Sequence, residues 1–420
     1  MTTGALAEIS TQHRWEWKPL WAVLQRSKEA GSPDLPPLSV FLDAGVVPRS
    51  SREDNHNQLG EDLSKYLVVR PGDIVFNKLR TWQGGLGVSL HEGIVSPAYF
   101  VCRPNSMTDS RFIHYLLKSR PYLTELVRIS KWMPPSQFDT PWENLRKLPL
   151  LLPGLDEQRR IADFLDAETA RIDALLNARE RQLDVLKELW VSRLASRVEN
   201  MISTHGIIPL RRAIRSVEQG WSPQCEDALA EPAEWAVLKT SAVSSGIFRP
   251  LEHKKLPYDL QPDLRYRILD GDLLMTRGSG SLEHVGVSTV ARTEGRNLLL
   301  SDLLYRVRAD RGWSPDFLSL MLRSRPVRGF MSLLMRGQSG QTIKLRSEDI
   351  KGIHVPSVPL EQQAWLAADL KAEERGIGDA RAAVEASSAL LVERRQALIT
   401  AAVTGQIDVT TAHRTYNRDL

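Results

Sequence analysis

The side chains best suited to chemistry in this sequence lie on four short loops. "NKLRTWQGG" (residues 77–85) and "RISKWMPPSQFD" (128–139) have corresponding loops in the second half, "TRGSGSLEH" (276–284) and "RGQSGQTIKLRS" (336–347). Each joins basic side chains, and all but the loop at 276–284 also amides, to Gly or Pro turn residues. Arg and Lys can donate to the guanine edge, and Asn or Gln can bond adenine both ways, so such loops can read base pairs in a groove. The candidates are Lys78, Arg80, Trp82, Gln83, Lys131 and Gln137 in the first pair, and Arg277, Ser279, Gln338, Gln341 and Lys344 in the second. For any one of them the bland account is equally available: a solvated loop charge or a turn-stabilising amide. Trp82 and Trp132 fit partly buried packing better than base contact. Because the paired loops differ in composition, they imply two different half-sites.

Catalysis finds no support. An adenine methyltransferase needs a Gly-rich cofactor loop and an Asn/Asp-Pro-Pro-aromatic element for the flipped base. "MPPSQF" (133–138) has the prolines without the amide or acid before them. A nucleotide-driven motor needs Gly-x-x-x-x-Gly-Lys-Ser/Thr, and "GSGSLEHVG" (278–286) lacks that lysine. The nine histidines form no His-Glu-x-x-His, and two cysteines cannot complete a zinc site.

At 420 residues the chain is long enough for two or more domains, each with its own core. It contains no run of about 18 apolar residues, which argues against a membrane span. Residues 1–17 lack the basic-then-apolar plan of a signal peptide, and the isolated Cys102 and Cys225 fit a reducing compartment, so a cytoplasmic protein is expected. A net charge of +4 permits a nucleic-acid partner without demanding one.

An internal repeat organises these loops. Pro19-Leu20 matches Pro209-Leu210, 190 residues on, and Gly72 matches Gly271 at 199. "GVS" at Gly87 recurs at Gly286, also at 199; Phe112 matches Phe317 at 205, and Glu157-Gln158 matches Glu361-Gln362 at 204. Offsets that change in steps are those of two copies whose loops differ in length. Each copy begins with short β-rich runs ("DIVFN", "YFVCRP"; "DLLMTR", "LLYRVRA") and one amphipathic helix, the second starting at Ser314-Pro315. A long helix follows in each.

The long helices carry narrow apolar stripes. In the first, Ala162, Thr169, Leu176, Leu183 and Trp190 share one heptad position and Leu165, Ile172 and Leu186 the other, with Arg179 an exception. In the second, Leu370, Ile377, Val384, Leu391 and Leu398 recur every seven residues. Stripes this narrow suit a helix pair, each arm some 35 residues and about 50 Å long. The alternative is that they are core helices of large domains. Gly376 and Gly378 each weaken the second arm by about 1 kcal/mol relative to Ala, so a kink or irregular turn is expected there.

"GDIVFNKLRTWQGGLGVSLHEGIVSPAYFVCRP" (72–104) and "LPGLDEQRRIADFLDAETARIDALL" (152–176) closely resemble the DNA-specificity subunit of type I restriction–modification systems. The likeness runs from about Arg14 to Gly405, and its specific signal is the Pro-to-Glu-Gln exit into a long helix, twice per chain. "ERRQALITAAVTGQIDV" (393–409) is similar to the family's C-terminal end, whereas "WLAADLKAEERGIGD" (365–379) departs from the first copy's "RRIADFLDAETARID". The resemblance implies an α+β chain: tail 1–13, target-recognition domain 14–152, helical spacer 153–204, second target-recognition domain 205–356, distal spacer 357–405 and tail 406–420. The spacers are expected to pair as an antiparallel coiled coil with pseudo-two-fold symmetry. The implied role is non-catalytic, in bacterial defence: to read a bipartite, asymmetric double-stranded DNA target and scaffold two modification (methyltransferase) subunits and the restriction (translocase–nuclease) subunits. No cofactor is expected on this chain; S-adenosylmethionine, ATP and Mg are expected on the partners. The competing reading is a coiled-coil adaptor that joins two partner proteins without binding DNA.

Overall fold

Gly72 and Gly271 both take left-handed backbone, with φ of 91° and 89°, which favours glycine over residues with a Cβ. The turns they close are wired alike. Asp73 Oδ2 accepts from the Arg70 N–H at 2.9 Å, and Asp272 Oδ2 from the Leu269 N–H at 2.9 Å. In the computed structural model, which describes residues 6, 9, 15–32, 34–52, 59–60, 62–133, 137–335 and 343–409, each turn launches the central strand of a four-stranded antiparallel sheet.

The chain forms two units: Met1–Arg179 with Ala386–Leu420, and Glu180–Glu385. Each has an α+β body and half of each long helix, so the expected fold class is the observed one. The first unit's helices are α1 (Ser110–Lys118), α2 (Arg120–Ile129), the short α3 (Trp142–Leu145) and the start of α4 (Leu155–His205). The second unit holds α5 (Pro315–Arg323), α6 (Arg325–Leu334), α7 (Ser347–Gly352) and the start of α8 (Leu360–Val403). In the first body strand Ile74–Asn77 lies between Leu86–Val88 and Tyr99–Pro104; in the second, Leu273–Thr276 lies between Ser288–Val290 and Leu304–Ala309.

Register separates true from fortuitous sequence matches. Ile74 faces Val88 and Leu273 faces Val290, so these flanking strands correspond at an offset of 202. The two Gly-Val-Ser triplets, at 199, therefore occupy different places, and Gly286 alone has positive φ (71°). The match at Pro19-Leu20 is real: Leu20 N donates to Leu148 O, and Leu210 N to Ile353 O, at 2.8 and 2.7 Å.

The helix α1 follows from its pattern. Phe112, Ile113, Leu116 and Leu117 form one buried face, and Asp109 caps the start by accepting from Arg111 and Phe112 N–H groups. Such a cap is worth about 1 kcal/mol. Ser314 caps α5 in the same way, with Pro315 in the first turn, as its Ser-Pro start predicts.

The Glu-Gln exit resolves differently from the sequence match. Gln158, buried in the first turn of α4, accepts from Asp109 N at 2.9 Å and donates to Pro153 O and Met107 O at 2.9 and 3.3 Å. Gln363, buried in α8, accepts from Ser314 N at 2.8 Å and donates to Val358 O and Gly312 O at 2.8 and 3.3 Å. Every partner is shifted by 205, so the counterpart of Gln158 is Gln363, not the exposed Gln362. This amide ties the helix exit to the N-terminal end of the body's own helix.

The long helices exceed the expected 35 residues, at 51 and 44, because their ends are built into the bodies. Ile161, Ala162 and Leu165 share the first core with Ile399, Ala402 and Val403; Leu194, Val198 and Met201 share the second with Ala367 and Leu370. The core-helix alternative thus holds for the helix ends. In the second unit Arg193 opposes Glu373 at 3.9 Å and Arg197 pairs with Asp369, so the helices run antiparallel there. Leu165, Ile172, Leu370 and Val384 are buried, and Leu176, Leu183, Leu186, Trp190, Ile377, Leu391 and Leu398 half-buried. Off the stripe, Val185, Leu390 and Val392 are exposed. The expected irregularity is absent: α8 is helical through Gly376 and Gly378, because each propensity cost is small against a 44-residue helix whose stripe is packed.

One contact reverses polarity between the bodies. Arg111 on α1 reaches Asp163 and Asp166 on α4 at 2.8 and 2.7 Å. At the corresponding places Asp316 on α5 meets Lys371 on α8 at 2.5 Å. Arg111→Asp is expected to cost about 1 kcal/mol, the upper range for a partly exposed pair, with more than half recovered by adding Asp166→Lys. Urea unfolding of the four-variant cycle checks this; strictly additive losses would count against the pairing.

Candidate nucleic-acid interface

Strand Ile74–Asn77 runs straight into the first candidate loop, which is held by its own backbone. Asn77 N donates to Gly85 O and Gly85 N to Arg80 O, each at 2.8 Å. Buried Thr81 donates its hydroxyl to Asn77 O at 2.6 Å. Gly84 has φ 84°, and a Cβ on Gly85 would stand 2.7 Å from Arg80, so both glycines are required. This brace leaves the Arg80 and Gln83 side chains exposed. Lys78 instead lies half-buried, its Nζ 5.2 Å from the Phe100 ring centre, a cation–π distance.

The second loop comes to the first through Trp82. Its indole N–H donates to Leu79 O at 3.0 Å and its ring packs 4.9 Å from Phe138, which meets Trp132 at 5.1 Å. Trp82 is thus a half-buried packing residue, as expected; Trp132, at 53% exposure, is more open than expected. Strands Lys131–Met133 and Gln137–Asp139 form a hairpin, with Lys131 exposed and opposite Asp139. The Gln137 side chain lies outside the described residues. Thr140 N donates to Lys78 O at 3.1 Å and closes the two loops on each other.

The second body repeats this closure with other side chains. Leu345 N donates to Arg277 O at 2.9 Å, and Gly278–Ser279 pairs with Ile343–Lys344. Half-buried Ser279 and exposed Lys344 therefore share one small sheet. Arg277 donates from Nε to the Tyr305 hydroxyl at 3.2 Å and from Nη1 to Asp302 O at 3.3 Å. Much of its guanidinium is committed to the fold. Gln338 and Gln341 lie outside the described residues.

Beside the first loop is a cleft of about 560 Å³, lined by Arg49, Tyr66, Arg80, Trp82, Gln83 and Tyr99 among others. Burial pushes the Tyr99 hydroxyl above its ordinary range. Arg49, Tyr66 and Tyr99 were not candidates from sequence. They come from separate strands and turns, and no local spacing announces that they meet. Among the described residues no helix is long and apolar enough to cross a membrane, and no group of His, Cys, Asp and Glu is placed to hold a metal ion.

No protein-family model matches the chain. Among curated proteins it is 26% identical over 321 residues to the EcoKI type I restriction enzyme specificity subunit of Escherichia coli K12, covering 71% of this chain and 67% of that one. It is 29% identical over 148 residues to the EcoEI specificity subunit of Escherichia coli, covering 35% and 25%. A chain solved in work on assembly and conformational transition of the type I R-M system superposes with a TM-score of 0.70 at 17% identity, over 95% of this chain and all of that one. The HsdS subunit of Thermoanaerobacter tengcongensis superposes with a TM-score of 0.51 at 17% identity, over 95% and 98%. The superpositions speak to the fold, and the curated relatives to the sequence. In both, the chain is similar to the specificity subunits of type I restriction–modification systems, the non-catalytic components of those complexes.

Proposed function

We propose that this chain reads a bipartite, asymmetric double-stranded DNA target, one half-site per body. Residues 14–152 and 205–356 act as readers, and the helical stretches 153–204 and 357–405 set their separation. The carrying observation is the equivalent loop closure in the two bodies, Thr140 on Lys78 and Leu345 on Arg277, around different side-chain sets. A common scaffold with different donors suits two related readers of unlike sequences. The paired helices serve as the platform for two modification subunits and, with them, the restriction subunits. S-adenosylmethionine, ATP and Mg bind to those partners.

Footprinting of the chain with its modification subunit tests this. Two protected blocks about one helical turn apart, roughly 34 Å, are expected. Arg80→Ala or Gln83→Ala should cost about 1–3 kcal/mol and relax one block only. Lys344→Ala should affect the other. A single continuous footprint, or no protection at low salt, would overturn the proposal; the second outcome favours the adaptor.

A further inference from the structure

A cleft of about 850 Å³ in the first unit opens between α1, the turn at residues 42–45 and the last turns of α8. Its floor is basic. His114 and Lys118 come from α1 and Arg395 from α8. The His114 Nδ1 and Arg395 Nε atoms are shielded from solvent and have no hydrogen-bond partner among the described residues. Lys118 Nζ donates to a neutral group, Leu42 O, at 3.2 Å. Burial lowers the affinity of His114 and Lys118 for a proton, and neighbouring cations lower it further: Lys118 and Arg395 act on His114, and Arg395 on Lys118, where Asp43 offsets a smaller part.

The acids that line the cleft are largely engaged with other partners. Asp43 is held by Arg52 at 2.8 Å and Asp166 by Arg111 at 2.7 Å, while Glu393 stands exposed at the rim. Arg395 has one carboxylate neighbour, Asp173, at 3.3 Å.

The second unit provides an internal control. There Arg323 occupies the place of Lys118, and Glu374 the place of Thr169, each 205 residues on. The Glu374 carboxylate takes both ends of the Arg323 guanidinium, at 2.8 and 3.1 Å. The corresponding cleft has shrunk to about 260 Å³. In the first unit Thr169 donates to Leu165 O within its own helix and offers no charge. The chain supplies an anion to Arg323 in one body, whereas in the other Lys118 meets only a carbonyl and Asp173 reaches Arg395 alone.

We propose that the first unit's cleft binds a small organic anion whose carboxylate or phosphate sits against Lys118, His114 and Arg395, in the role that Glu374 has in the second unit. The volume lies within the range of small-molecule sites, and Leu42, Val88, Leu123 and Val392 give the ligand's body an apolar wall. The inference does not depend on DNA reading.

Calorimetric titration of the full chain with adenosine monophosphate, octanoate and inorganic phosphate tests it and separates the two headgroups. Saturable one-to-one binding of either organic anion is expected, with inorganic phosphate weaker for want of an apolar body. Lys118→Met should weaken that binding by about tenfold or more. Thr169→Glu, which copies the second unit, should abolish it and raise the melting temperature; should that variant fail to fold, Lys118→Met alone decides. No saturable binding of any probe to the wild-type chain, or binding unchanged by Lys118→Met, would overturn the proposal.

Discussion

Gln158→Ala is expected to lower the unfolding free energy of the first unit by about 3 kcal/mol, and Gln363→Ala to do the same for the second. Each substitution strips one acceptor and two donors from backbone groups, one of them buried and two part-buried, and an unsatisfied buried group costs about 1–3 kcal/mol. Water can enter part of the gap, which keeps the sum below three full penalties. For a unit of some 200 residues the melting temperature should fall by about 9 °C. Gln158→Glu should be worse at neutral pH, because a carboxylate cannot donate to Pro153 O and Met107 O. The exposed neighbour gives the control: Gln362→Ala should change stability by less than about 0.5 kcal/mol. Urea unfolding followed by circular dichroism reads all four. Equal losses at Gln362 and Gln363 would mean that the exit is held by general packing rather than by this amide.

Inserting four residues into α4 beside Leu176, with four more in α8 beside Val384, should move the preferred spacer of the DNA target. Four helical residues add about 6 Å and about 40° of rotation. That length is roughly two base-pair steps of 3.4 Å. An insertion of four is a stutter that a coiled coil absorbs by local unwinding, so folding should survive. Affinity for the original target should fall at least about 100-fold, since one half-site is lost and each mismatched pair costs about 1–3 kcal/mol. Selection from a duplex pool with randomised spacers supplies the measurement. Full affinity with an unchanged spacer preference would refute the proposal that the helices set the separation. An insertion in one helix alone should abolish binding, because contacts such as Arg197 with Asp369 fix the register of the pair.

Much of the architecture is legible in the residues because it rests on local rules. Positive φ at Gly72 and Gly271, the Ser314 cap with Pro315, and the seven-residue stripe from Leu370 to Leu398 are each set by a few neighbouring side chains. The loop candidates could be named by type, and the exposed Arg80, Gln83, Lys131 and Lys344 are where a reader's side chains would stand. Arg277 could not be judged in this way. Its guanidinium meets Tyr305 and Asp302, residues brought to it by another strand of the sheet and the turn before it.

The sequence by itself determined the duplication, the α+β-plus-helix order of each copy and the apolar stripes, since periodicity and turn chemistry act over a few residues. Tertiary structure decided the rest. Strand register showed that one Gly-Val-Ser match is coincidental and that Gln158 answers to Gln363. Packing built the helix ends into the bodies, and joined Arg49, Tyr66 and Tyr99 to the loop at Arg80. The basic group under the Lys118 cleft is also a tertiary product. It depends on side chains from α1 and α8 that lie far apart along the chain, and no spacing rule records which charges end up facing each other once two copies have diverged.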